Sequence, residues 1–273
     1  MKAQFHLPLV TYPDASSFAL LQNAVNVSLH QKADLTASLP LVRIEPIQPR
    51  FPTFLDVKKM RAEAERFSKH NEAALEQTLR DYGKKADVEV EIHPFDAREQ
   101  FVAQTLAELS RAYDLSILEA SEAMRPLIES VLFESGRPVL LFPTDNFCGR
   151  IDAVAIAWDG GTTAARALTG ARLLLEHASR IVLISVTDDK QIDERSRDYL
   201  AAVLRKAGLA VEVVAAQANG DLPASVIQYA ALERKADLLV AGAFGHSRLR
   251  EFVLGGVTRS LLTRLEMPVL LCH

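Results

Sequence analysis

Residues 236–258 read ADLLVAGAFGHSRLREFVLGGVT, and the fold turns on how this stretch is parsed. The run that follows Asp237 is continuously apolar, the mark of a strand covered on both faces within a parallel sheet. Gly242, Gly245, Gly255 and Gly256 then punctuate a loop that closes where a helical pattern begins. Open α/β sheets bind ligands at the carboxyl ends of their strands, and helix amino termini present N–H groups to anions. Glycine suits such a loop because it accepts positive φ and, lacking Cβ, lets backbone amides approach a phosphate closely.

Working outward, the same punctuation recurs. Apolar runs at 151–158, 181–186, 209–216, 236–243 and 268–272 read as five strands. Helical patterns fall between them. Ala164, Leu168, Ala171, Leu175 and Ala178 place one apolar stripe on a helix over 162–178. A second helix over 189–206 is expected to bury Ile192, Leu200, Val203 and Leu204 while Asp193, Glu194, Arg197 and Asp198 face water. Asp221 and Pro223 supply an N-cap and first-turn proline for a helix reaching Arg234, and a last helix begins near Gly256. Strands alternating with helices argue for a doubly wound parallel sheet with helices on both faces.

The first half repeats this order. Strands are expected at 6–12, 33–44, 88–95, 113–120 and 138–142, with helices over 16–30, 54–82 (stopped by Gly83) and 98–111. YDLSILEA at 113–120 aligns with ADLLVAGA at 236–243, Asp114 over Asp237, and RPVLLF aligns with MPVLLC, Pro138 over Pro268. The chain thus reads as two α/β domains, 1–145 and 150–273, each a doubly wound parallel five-stranded sheet. The two PVLL strands, 138–142 and 268–272, are the candidate contact between them.

Of the 12 glycines, only Gly83 and Gly136 precede residue 149, whereas all but Pro223 and Pro268 of the 12 prolines do. The halves therefore differ in backbone chemistry. A net charge of −4 offers no basic domain for nucleic acid. No apolar run reaches the ~18–20 residues that span a bilayer, and no secretory leader is evident, so a cytoplasmic location is expected. Cys148 and Cys272 fit that expectation as unreactive thiols.

The G-2x-G-9x-G spacing of Gly242, Gly245 and Gly255, followed by Val257, Thr258 and the final PVLLC strand, resembles the nucleotide-binding signature of the universal stress protein family. The resemblance spans 150–273 and implies a universal stress protein-like, adenine nucleotide alpha hydrolase-like fold. It further implies an ATP or related adenine-nucleotide site, with Mg as a possible companion. In it Asp159 would contact ribose or adenine, and Val186 would hold adenine through its backbone. Gly242, Gly245, Gly255, Gly256, Val257 and Thr258 would wrap the phosphates. The family pattern has Ser or Thr where this chain has Gly256, which keeps the amide and loses a hydroxyl. The first half lacks the glycines, and its corresponding segment 119–126 carries Glu119 and Glu122.

Three functions stay open. The first is a stress-response regulatory or signalling module with nucleotide at the C-terminal site. The second is a nucleotide-free interaction or scaffold protein, and the third, least supported, is an ATP-using enzyme. Expected partners are an adenine nucleotide and other proteins, with no nucleic acid and no membrane. The two halves are expected to pair within the chain, and a homodimer remains open.

Overall fold

A computed structural model describes residues 2–46, 56–144, 150–188, 194–243 and 265–273. Each apolar run becomes a strand: β1 (Gln4–Pro8), β2 (Asp34–Arg43), β3 (Val90–Arg98), β4 (Leu115–Ala120) and β5 (Val139–Pro143) in the first half. The second half supplies β6 (Ala153–Ala157), β7 (Arg180–Val186), β8 (Ala210–Ala216), β9 (Leu238–Gly242) and β10 (Val269–Cys272). The strand order is β3-β2-β1-β4-β5-β10-β9-β6-β7-β8. Within each half the pairs are parallel. The two five-stranded sheets expected from the sequence are therefore one ten-stranded sheet, joined where β5 and β10 pair antiparallel, Val269 opposite Leu141 and Leu271 opposite Val139. The expected contact between the PVLL strands is that joint.

Alternating side chains build two cores, one on each face. Leu140, Phe142, Val154, Ile156, Leu238, Val240 and Leu270 face α1 (Phe18–Gln31), α2 (Val57–Ala86), α5 (Thr162–Gly170), α6 (Arg172–Leu175) and α7 (Glu194–Lys206). Val139, Leu141, Ala155, Leu239, Val269 and Leu271 face α3 (Val102–Ser110), α4 (Arg125–Glu134) and α8 (Pro223–Glu233). Each core runs unbroken across the joint. There Gly170 is a packing necessity, because an added Cβ would lie 2.5 Å from Cys272 Sγ and 2.8 Å from the Pro138 ring. The same burial pushes the Cys272 thiol pKa up to about 12, which leaves it protonated and unreactive. Among the described residues no helix is long and apolar enough to cross a membrane.

Several local expectations need correction. α2 does not stop at Gly83 but runs to Ala86, and Asp87 at φ 56° ends it. Gly83 is there for close approach, since a Cβ would meet the Val88 carbonyl and the Val90 side chain at 2.9 Å. The single helix over 162–178 breaks after Gly170 into α5 and α6. α4 was not foreseen. Asp221 does not cap α8, whose N-cap is Leu222 without a side-chain bond. On α7, Val203 is exposed and Arg197 is buried, the reverse of the expected pattern. Ile192, Asp193 and the helix expected from Gly256 lie outside the described residues.

His6 is the least ordinary polar residue of the core. It is fully buried, with Nδ1 2.9 Å from Ser110 Oγ, Nε2 2.9 Å from Ser38 Oγ, and its ring stacked on Tyr113 at 4.5 Å. Burial, helped by His93, lowers its pKa to about 3. An unfolded histidine titrates near ~6.5, so as pH falls below that value only the unfolded chain gains the proton and stability drops. From pH 7 to pH 5 this one group should cost the wild type about 2 kcal/mol. His6→Gln should lose less over the same interval by that amount in urea titrations, and equal losses would contradict the assignment.

Candidate functional site

The chain runs β6, β7, β8 in one direction and then crosses to place β9 on the other side of β6. The carboxyl ends of β6 and β9 thus border the crevice where such sheets reverse their strand order, the usual ligand position. β6 leads through Trp158 to Asp159, whose Oδ1 accepts the Gly161 N–H at 2.8 Å and closes a tight turn into α5. Gly160 in that turn has φ +75°. Trp158 is tied on both sides. Its N–H donates to the Ile184 carbonyl, its carbonyl accepts from Ser185 Oγ at 2.7 Å, and its indole Nε1 donates to Ser196 Oγ at 3.3 Å.

Gly242 ends β9 against α5. A Cβ there would lie 2.6 Å from the Thr163 carbonyl carbon and 2.8 Å from the Ala164 nitrogen. The first glycine of the motif therefore lets a helix lie directly on the strand end. Val186 ends β7. Ile184 pairs toward β6 through the Trp158 amide, and by the alternation of a parallel strand Val186 directs its own N–H and C=O to that same side. Gly245, Gly255, Gly256, Val257 and Thr258 lie outside the described residues, so of the expected site residues the structure brings together Asp159, Val186 and Gly242.

The two halves can be superposed through register alone. Phe5 lies opposite Leu115 as Val154 lies opposite Leu238, and Gln4 lies opposite Asp34 as Ala153 lies opposite Arg180. The matched aspartates do the same work. Asp114 Oδ2 accepts the Gln4 N–H at 2.9 Å, and Asp237 Oδ2 accepts the Ala153 N–H at 2.8 Å. On this register Val10 matches Asp159, Pro40 matches Val186 and Glu119 matches Gly242.

Each replacement removes the local chemistry. Val10 has no carboxylate. Pro40 has no N–H, and its carbonyl accepts from Thr11 Oγ1 at 2.8 Å. Thr11 is itself fixed by Ser68 Oγ at 2.8 Å and by Asn71, which donates to the Thr11 carbonyl, both from α2. Glu119, almost fully buried, accepts the Ser17 N–H at 3.0 Å through its carboxylate. Ser17 is the N-cap of α1, so a side chain of the protein supplies the anion that this helix end favours. The first crevice is thus closed by its own residues. An open groove of 610 Å³ lined by Tyr12, Pro13, Arg66, Phe67 and His70 lies nearby. Sequence reasoning noticed the Glu119 charge but not Pro40 or Thr11, which become visible only once strand register is known.

Residues 151–273 match the model of the universal stress protein family. Residues 151–273 thus form a universal stress protein domain. The chain is 26% identical over 181 residues to the universal stress protein Slr1230 of Synechocystis, covering 62% of this chain and 61% of that relative's length. A universal stress protein from Archaeoglobus fulgidus shares the fold with a TM-score of 0.73 at 19% identity, over 98% of this chain and 97% of that one. A functionally unknown protein, PA1789, from Pseudomonas aeruginosa shares it at 0.56 and 18% identity, over 98% and 92%. At these identities the likeness speaks for the fold, and it extends through the first half as well.

The packing at Gly242 makes a stability prediction for this universal stress protein domain. Gly242→Ala should destabilise by roughly 1–3 kcal/mol, because α5 must move off the strand. Thermal denaturation without ligand measures it, and an unchanged melting temperature would refute the close approach.

Proposed function

We propose that the second half binds an adenine nucleotide, ATP or a close relative, in the crevice at the ends of β6, β7 and β9, and that the protein is a nucleotide-responsive regulatory module of the cytoplasm. The observation that carries this reading is the contrast at Val186. Val186 keeps a backbone N–H at the end of β7, on the side of β6, whereas at the matching place the first half has Pro40, which has none, and its carbonyl is met by Thr11. Buried polar groups need partners, and a purine edge offers both a donor and an acceptor. Asp159 stands beside them with an acceptor suited to ribose hydroxyls. The glycine spacing from Gly242 to Gly255 supplies the phosphate-binding part of the reading.

Among the described residues no cluster of three or more His, Cys, Asp or Glu could hold a metal. Mg²⁺ would accordingly arrive with the nucleotide and be held through its phosphates. The role is binding rather than catalysis.

A second reading, a nucleotide-free interaction protein, draws support from Gly242, whose packing against α5 explains that glycine without a ligand. Trp158, the sole tryptophan, borders the crevice and separates the two. Titration with Mg-ATP should change its fluorescence saturably, with one site per chain by calorimetry. Absence of any saturable signal up to about 1 mM, a binding free energy near −4 kcal/mol, would favour the nucleotide-free protein.

A further inference from the structure

The sheet ends in β3 on one side and β8 on the other, and the two edges are built differently. On β8 the backbone directions follow from a bond at its end. The Thr187 N–H donates to the Ala216 carbonyl, so Ala216 and, by alternation, Val214, Glu212 and Ala210 point toward β7. Val211, Val213 and Ala215 therefore direct their N–H and C=O groups away from the sheet. The Arg205 side chain agrees, since it reaches from α7 to donate to the Val211 carbonyl at 3.0 Å. Among the described residues no bond reaches the outward groups of Val213 or Ala215.

The first half guards its edge. The Leu9 N–H donates to the Ser38 carbonyl, so Ser38 faces β1 and Leu39 faces β3. Leu39 lies opposite Pro94. In a parallel pair a residue bonds to the neighbours of the one it faces, which turns Pro94 outward, where it has no N–H to offer. Leu39 opposite Pro94 corresponds to Ser185 opposite Ala215, so the register that superposes the halves puts Pro94 in the place of Ala215. Proline on an edge strand keeps other strands away, and β8 has none.

β8 also has the composition of a strand that pairs. Its sequence AVEVVAA carries a single charge, Glu212, and Arg234 holds that carboxylate at 3.0 Å. The outward-pointing set is symmetric about Val213. An antiparallel copy laid with Val213 opposite Val213 sets Val211 opposite Ala215 on either side, and all three positions become pairs that exchange N–H···O=C bonds. The side chains brought together, Val211, Val213 and Ala215, are apolar. The chain already joins two of its own edges in this antiparallel manner, β5 with β10.

We propose that β8 is an interface for a second copy of this chain, forming a two-fold dimer in which antiparallel β8 strands continue the sheet from one molecule into the next. Arg205 gives up the Val211 carbonyl to the N–H of the partner's Ala215. The proposal is independent of the nucleotide reading.

Sedimentation equilibrium on the full chain tests it. The wild type should reach twice the 30.1 kDa chain mass at about 100 μM and dissociate on dilution. Ala215→Pro gives β8 the residue that β3 has at the matching place. It removes one outward N–H from each copy, keeps the ladder to β7, and should weaken the dimer roughly tenfold or more. A wild type that stays monomeric at that concentration, or a dimer that Ala215→Pro leaves unchanged, would overturn the proposal. Melting curves establish that each variant is folded. Should Ala215→Pro fail to fold, Ala215→Lys and Ala215→Glu decide, since both keep the N–H. The lysine would lie opposite Val211 of the partner subunit, beside the partner's Arg205, and should weaken the dimer, whereas the glutamate should preserve or tighten it. Equal effects of the two charges would again overturn the proposal.

Discussion

The antiparallel pairing of β5 with β10 is the contact on which the rest of the molecule depends. Each half ends in an apolar strand with one unpaired edge, and such an edge in water invites association with another chain. Joining the two edges satisfies both sets of backbone groups and extends each hydrophobic layer across the joint. It also fixes orientation. Because the strands of each half are parallel and the joining pair is antiparallel, the carboxyl ends of the two half-sheets open on opposite edges. The two crevices are therefore physically separate, and one can change without disturbing the other.

That separation is what the two halves exploit. Both retain the interactions that hold the sheet, down to the matching bonds of Asp114 and Asp237. They part company where the strands end. In the first half the polar groups at the crevice are met from within the chain by Thr11, Ser68, Asn71 and Glu119. In the second half the corresponding places hold Asp159, Val186 and Gly242. Buried backbone groups must find water, side chain or ligand, and the first half meets its own from within.

α5 ties the second-half crevice to the rest of the protein. α5 starts at the Asp159 turn, lies on Gly242, and ends at Gly170 against Cys272 and Pro138. Three points along one helix thus hold it to the strand ends and to the joint. The glycine at each end of that contact is explained by space rather than by flexibility.

By itself, the sequence determined the alternation of strand and helix, the doubling of the unit, and the half that carries the glycine loop. Those features are local: continuous apolar runs, a 3.6-residue period and the repeated Asp and Pro positions can be read without knowing what lies opposite. Tertiary structure alone decided that the two sheets are one, that Pro40 stands where Val186 does, that Gly83 sits inside a helix, and that Arg197 rather than Val203 turns inward. Each of these depends on which residues face one another across strands and between helix and sheet. Register and side-chain direction are set by packing against partners distant in sequence, which no local pattern encodes.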